Sequence, residues 1–296
     1  MGKTISGVMT ALVTPFDENG NIDFKSLENL VKSQLAAGVQ GFVVNGTTAE
    51  SPTLEKNEVQ DIWQCVKSIA NKNTICILGT GSNSTKQTIH NTKLASDWSA
   101  DAALVVVPYY NKPPQRGLFQ HFKLVAEESG APILLYNVPG RSACNLSAET
   151  TAELSFVSGI IGIKDATGDM KIAEEIQKKC RKGFIQLSGD DGSYVDYLIQ
   201  GGHGIISVGS HVIPDLFLKV TELVSQKKYD QAQVLMKANL DLIDSLYIEA
   251  NPIPVKKALK LMKVIEGSDL RLPLIGAQAA TTERVRHELE KRGLIK

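Results

Sequence analysis

A lysine closes an almost wholly apolar run, Ile160-Ile161-Gly162-Ile163-Lys164, and Asp165-Ala166-Thr167-Gly168 follows at once. An ammonium at the inner end of a buried strand loses its hydration, so the pKa of Lys164 is expected below the free value of about 10.4. A lysine tuned to ~7–8 holds a neutral amine that can attack a carbonyl and form a Schiff base. The competing reading puts its head group in solvent at the strand mouth or pairs it with a carboxylate. Tyr136, in Tyr136-Asn137-Val138-Pro139-Gly140-Arg141, is either a hydrogen-bonded core phenol or a proton shuttle for such an amine. Arg141 is a surface charge, or a planar fork that clamps a carboxylate. Gly46-Thr47-Thr48 is a turn with a helix cap, or a set of hydroxyls and backbone N–H groups that holds a carboxylate near a helix N-terminus. Tyr109-Tyr110 covers a loop or anchors an interface.

These residues need elements to position them. Short apolar runs recur at fairly even intervals over 8–13, 41–45, 74–78, 102–107, 133–136, 160–163, 184–187 and 204–208. Segments with helical spacing lie between them: Val59, Ile62, Trp63, Val66 and Ile69 form one stripe, and Phe24, Leu27, Leu30, Val31 and Leu35 share a face of another. Ser84-Thr85-Lys86-Gln87 has the pattern of a capping box. Strand and helix alternate about eight times, which implies parallel strands joined by crossovers. The expected fold is α/β, a (β/α)8 TIM barrel with a C-terminal helical appendage. An open doubly wound sheet is the alternative, but its G-x-G-x-x-G turn after the first strand is missing.

The alternation stops near residue 225, so a barrel domain over 1–225 and a helical domain over 226–296 are expected, with helices over 229–246, 254–262 and 281–292. Gly293 is expected to cap the last. In such a barrel the chemistry sits on the loops at the carboxyl ends of the strands. Glycine-rich and polar segments gather there: 46–50, 79–83, 108–113, 136–141, Lys164, 188–191 and 207–210.

Composition excludes several classes. Lys+Arg and Asp+Glu both number 32, a formal charge of zero, which argues against nucleic acid or an anionic membrane as a general partner. Cys65, Cys76, Cys144 and Cys180 form no C-x-x-C pair and suit reduced thiols in a cytoplasmic protein. The five histidines, His90, His121, His203, His211 and His287, show no zinc spacing. Asp190-Asp191 reads as a helix-capping turn before a metal site, and Gly79-Thr80-Gly81 lacks the third glycine of a dinucleotide fingerprint. A site without metal or cofactor is expected. The N-terminus lacks an apolar signal core, and no apolar stretch reaches the roughly 18 residues of a membrane span. Met1-Gly2-Lys3-Thr4-Ile5-Ser6 fits a myristoylation pattern, discounted because a strand follows almost at once and no polybasic cluster supports it.

Five segments together resemble the dihydrodipicolinate synthase family of class I aldolases: 46–50, 109–111, 136–141, 164–168 and 251–256, in the same order and over nearly the whole chain from about Gly7. The resemblance implies that pyruvate forms a Schiff base with Lys164, becomes an enamine and attacks L-aspartate 4-semialdehyde. Ring closure then frees the enzyme, in the first committed step of the diaminopimelate route to lysine, without a cofactor. It implies Tyr136 as proton donor and acceptor, linked through Thr47 to Tyr110 of a neighbouring subunit. It gives the pyruvate carboxylate to Thr48, the semialdehyde carboxylate to Arg141, and pocket-lining backbone to Gly189 and Ile206. A homo-oligomer follows, a tetramer built as a dimer of dimers.

N-acetylneuraminate lyase and the 2-keto-3-deoxy sugar acid aldolases share the barrel, lysine and tyrosine but usually lack the arginine. They are the enzymatic alternative, and a non-catalytic binding or regulatory barrel is the alternative of another class. Two departures from the family pattern stand out. Ala49 replaces a glycine, harmless only at negative φ. At the family's allosteric lysine site, Ser51, Asn83 and Tyr109 fit, whereas Lys56, Val59 and Gln87 replace two histidines and a glutamate. The added cation and the missing acceptor imply weak or absent feedback inhibition.

Overall fold

The computed structural model describes residues 3–296; Gly2 of the myristoylation pattern lies outside the described residues. Eight strands follow the chain: β1 (Gly7–Ala11), β2 (Gly41–Val44), β3 (Ile75–Gly79), β4 (Ala102–Val106), β5 (Ile133–Asn137), β6 (Ile160–Asp165), β7 (Ile185–Ser188) and β8 (Gly204–Ser207). They form a closed barrel in sequence order, and the recorded strand pairings are parallel. The expected (β/α)8 barrel is what the chain adopts, and the apolar runs fall within one or two residues of the strands. Strands this short and this apolar suit a layer covered on both faces.

The helices are α1 (Phe24–Ala37), α2 (Lys56–Ile69), α3 (Thr85–Asp97), α4 (Gln115–Ser129), α5 (Pro139–Ser142), α6 (Ala148–Ser155) and α7 (Met170–Lys179). They continue with α8 (Tyr194–Ile199), α9 (Pro214–Ser225), α10 (Tyr229–Lys237), α11 (Leu240–Ser245), α12 (Ile253–Leu261) and α13 (Ala279–Lys291). Two compact units can be distinguished: Ile75–Ile206 with the N-terminal residues up to Gly7, and Val8–Thr74 with Ser207–Lys296.

In the first unit, β3 to β8 pair in succession, and Leu104, Leu134, Leu135, Ile163 and Leu187 are wholly buried or nearly so. Their outer side is covered by helices such as α4, whose Leu118, Phe122 and Val125 are fully buried. In the second unit, β1 pairs with β2, and Phe16, Leu27, Leu30, Phe42, Trp63, Phe217, Val255 and Leu289 are buried.

Several local expectations need correction. Ser84 caps α3 by accepting from the Gln87 N–H, but the Gln87 side chain turns forward to Asn91, so no reciprocal box forms. The box lies instead at α2, where Glu55 and Glu58 exchange bonds. Phe24 sits at the first turn of α1 and is exposed, while Leu35 is only part-buried, so the buried stripe is Leu27, Leu30 and Val31. The helix expected over 229–246 breaks at Ala238-Asn239 into α10 and α11. Gly293 does cap α13, with φ +67° and its N–H on the Glu290 carbonyl.

Candidate functional site

Within the first unit, strand register sets the key contact. Tyr136 of β5 lies beside Lys164 of β6, and Lys164 beside Leu187 of β7. β6 runs one residue further than expected, so Lys164 is held by strand pairing on both sides. Its side chain is 7% exposed, and Nζ lies 4.3 Å from the centroid of the Tyr136 ring. Among the described residues no carboxylate comes within 4.0 Å of that nitrogen. An ammonium placed here gives up hydration and receives only an aromatic face in return. A desolvated lysine of this kind can serve as an amine nucleophile.

The next strand shapes the space around the amine. A Cβ on Gly189, just beyond β7, would come 2.8 Å from Lys164 Cε and 2.7 Å from Ala166 Cβ. Only a glycine leaves room for the lysine stem. Asp165, next on β6, points to the opposite face of the sheet. Its carboxylate accepts from Thr167 N–H at 3.2 Å and Thr167 Oγ1 at 3.0 Å. Burial raises its pKa to about 6; the Thr167 bonds oppose that shift, and Asp169 and Asp190 reinforce it. Asp190 itself accepts from Ser193 N–H and Oγ just before α8, so it ties the turn together, but no side chain caps the helix as expected.

Arg141 rides on α5, at the surface. The segment 138–146 that carries it is gripped by one side chain. Asn137, fully buried, donates to Asn145 Oδ1 and the Leu146 carbonyl, and accepts from the Leu146 N–H at 3.0 Å. Tyr110 is 87% exposed with φ +74°, and its side chain stands away from the protein body. Tyr109 is also exposed, and Asn83 is tied through its carbonyl to Asn111.

In the second unit, Thr47–Ala49 and Ser51–Thr53 are two successive 3-10 turns joined by Glu50. The expected helix N-terminus at Thr47-Thr48 is therefore only a single turn, and α2 begins later, at Lys56. A macrodipole of useful size is absent there, so backbone N–H groups and hydroxyls are what the loop offers. Glu50 takes the left-handed conformation, φ 59°, while Ala49 does not have positive φ. That removes the difficulty of an alanine at position 49.

The loop is held from below. Thr14 Oγ1 donates to the Ala49 carbonyl, and Asn251 Nδ2 donates to Thr48 Oγ1 at 2.9 Å. Lys256 Nζ donates to Glu50 Oε1 at 2.7 Å and to the Asp269 carbonyl, 4.3 Å from the Phe16 ring centroid. Burial lowers the Lys256 pKa to about 8, although Glu50 pulls the other way. Arg271 closes the group: its N–H meets Glu50 Oε2 at 3.0 Å, and its guanidinium stacks on Phe16 and pairs with Glu58. Ser51 lies in this anchored loop. Val59 packs into the core from α2, while Lys56 and Gln87 are exposed. Ile206 is buried near the end of β8.

Asn137, Asn251, Lys256 and Arg271 are supports that the residue types alone do not announce. Each is a polar or charged residue in or beside an apolar stretch, and burial of three of them is the signal that marks them. Among the described residues no group of three or more His, Cys, Asp or Glu is arranged to hold a metal ion, and no helix is long and apolar enough to cross a membrane.

Comparison with known proteins gives these clusters a context. The model of the Dihydrodipicolinate synthetase family matches residues 4–292. A 4-hydroxy-tetrahydrodipicolinate synthase from Bdellovibrio bacteriovorus is 50% identical over 293 residues, covering 99% of this chain and 100% of that protein. The crystal structure of dihydrodipicolinate synthase from Thermotoga maritima superposes with a TM-score of 0.95 at 38% identity, covering 98% of this chain and 99% of its own. A chloride-inhibited dihydrodipicolinate synthase from Acinetobacter baumannii, complexed with pyruvate, has a TM-score of 0.95 at 40% identity, over 99% of this chain and 100% of its own. A buried lysine against a tyrosine on neighbouring barrel strands thus sits in a sequence that follows these enzymes from end to end, and the chain belongs to the dihydrodipicolinate synthetase family.

Proposed function

We propose that the chain is a lyase that condenses pyruvate with L-aspartate 4-semialdehyde through a Schiff base on Lys164. The observation that carries this reading is the Lys164 amine, buried against Tyr136 with no carboxylate partner. The amine adds to the keto carbon of pyruvate, and loss of water leaves an iminium. That cation withdraws electrons from the methyl group, whose proton passes to a base and leaves an enamine. The enamine attacks the aldehyde carbon of the second substrate. Attack by that substrate's own amino group then closes the ring and expels Lys164. The amine regenerates itself, so no cofactor is needed.

Tyr136 is the proposed proton carrier, relayed through Thr47 to Tyr110 of a neighbouring subunit; the exposure of Tyr110 supports a role outside its own chain. Thr48 is assigned to the pyruvate carboxylate and Arg141 to that of the semialdehyde, with Gly189 and Ile206 lining the pocket by their backbone. A homotetramer, a cytoplasmic location and a C-terminal helical domain over 226–296 complete the proposal. Weak or absent inhibition by lysine, at a site using Ser51, Asn83 and Tyr109, is supported by the exposed cation Lys56 and the core position of Val59.

A turnover assay with both substrates, coupled to the downstream reductase and run beside N-acetylneuraminate and keto-deoxygluconate, tests the assignment. Turnover of pyruvate with the semialdehyde alone is expected. Cleavage of either sugar acid in its place, or no turnover of any substrate, would overturn it.

A further inference from the structure

The contact between Asn251 and Thr48 does more than brace a loop. Thr48 is 3% exposed. A threonine hydroxyl has one proton and two lone pairs, and the Asn251 Nδ2 donor, at 2.9 Å, can only be met by a lone pair. With Nδ2 on this side, the hydroxyl proton points away from Asn251. Among the described residues nothing accepts it. A buried donor left unmatched is costly, so the arrangement suits an outside acceptor that carries no competing proton. A carboxylate is such a group.

The same segment fixes the backbone beneath. Glu50 accepts nothing from its own turn through its side chain; it is held by Lys256 Nζ and by the Arg271 N–H. Its main chain meanwhile closes both 3-10 turns, donating to the Thr47 carbonyl and accepting from the Thr53 N–H. Asn251 and Lys256 lie five positions apart around the start of α12. One short C-terminal stretch thus sets both the proton direction of Thr48 and the path of the loop that carries it.

We infer that Asn251 is a positioning residue for pyruvate: by donating to Thr48 Oγ1 it turns the Thr48 proton towards the substrate carboxylate. This rests on the function proposed above, and the test separates the two. The concentration of pyruvate that half-saturates the borohydride-trapped adduct is measured for the wild type and for variants, together with kcat and KM for both substrates. Asn251→Ala is expected to raise the pyruvate value about tenfold, the scale of one hydrogen bond to a charged group. The semialdehyde KM and kcat stay within about twofold, because neither depends on that bond. Asn251→Asp, which offers an acceptor and a negative charge, captures the Thr48 proton and raises the value further than alanine does.

In a Thr48→Val background Asn251→Ala adds less than about twofold, since the effect runs through the lost hydroxyl. Equal factors in the two backgrounds, or a joint shift of both KM values and kcat, would show a merely structural part and sink the inference. Should Asn251→Ala not fold, the near-isosteric Asn251→Asp decides: an unchanged pyruvate value there is equally fatal. A wild type that traps no pyruvate removes the functional reading and this inference with it. Trapping by the wild type with no shift in the variants removes the inference alone.

Discussion

Adding a single methyl group at Gly189 tests whether the lysine stem is positioned as tightly as its surroundings imply. In Gly189→Ala the new Cβ would lie 2.7 Å from Ala166 Cβ, 2.8 Å from Lys164 Cε and 3.1 Å from Lys164 Cγ. Carbon atoms pack at about 3.5–4.0 Å, so the stem must retreat by about 1 Å. Gly189 does not have a positive φ, so alanine brings no backbone strain of its own. The stability loss is therefore that of overpacking, about 1–3 kcal/mol, which the fold should survive. The effect on chemistry is larger, because displacement of a reacting group by about 1 Å costs on the order of 10²-fold. Rapid mixing with pyruvate followed by borohydride quench gives the rate of adduct formation, and thermal unfolding in parallel reports stability. An adduct rate within about threefold of the wild type would refute the claim that positioning of this amine limits the reaction.

Other perturbations probe the supports. Lys256→Met leaves Glu50 buried with one main-chain donor, and about 3–5 kcal/mol of stability should be lost in denaturant titrations; adding Glu50→Gln should restore part of it, and a loss below about 1 kcal/mol in the single variant contradicts the reading. Asp165 has a folded-state pKa raised from 3.8 to about 6, so between those values the unfolded chain is ionised while the folded one keeps its proton. Folded stability therefore falls as pH rises through that window, and the loss is complete above it. Asp165→Asn should accordingly gain on the wild type by about 1–2 kcal/mol as pH goes from about 5 to 7, after allowing for one weaker bond to Thr167; a difference independent of pH in urea unfolding would contradict this. Asn137→Ala frees the segment that carries Arg141, and the KM for the semialdehyde should rise about tenfold while that for pyruvate holds; equal rises in both would show a general collapse.

The barrel was legible because its strands are short, apolar and evenly spaced, and a lone lysine closing one apolar run advertises its own cost. Register then places Tyr136 of β5 directly beside Lys164 of β6, a contact that the apolar runs alone do not specify. Local chemistry with two readings was less legible. Ser84 and Gln87 have the right types for a reciprocal box, yet Gln87 prefers Asn91, a choice that pattern cannot reveal. Ala238-Asn239 carries no proline or glycine, so nothing in the sequence announced the break between α10 and α11. At Thr47-Thr48 a turn was expected to open a helix, but Glu50 takes a left-handed conformation that its type does not favour, sustained by Lys256 and Arg271 from more than two hundred positions away. Such partners leave no periodic trace. The same holds for Asn251 and Thr48, whose pairing is a product of tertiary folding alone.

The central claim is that Lys164 becomes covalently joined to a keto acid, and peptide mapping after borohydride reduction in the presence of pyruvate tests it most directly. The account predicts a single reduced pyruvyl adduct on the peptide that carries Lys164. An adduct on any other lysine, or none while turnover proceeds, would contradict it.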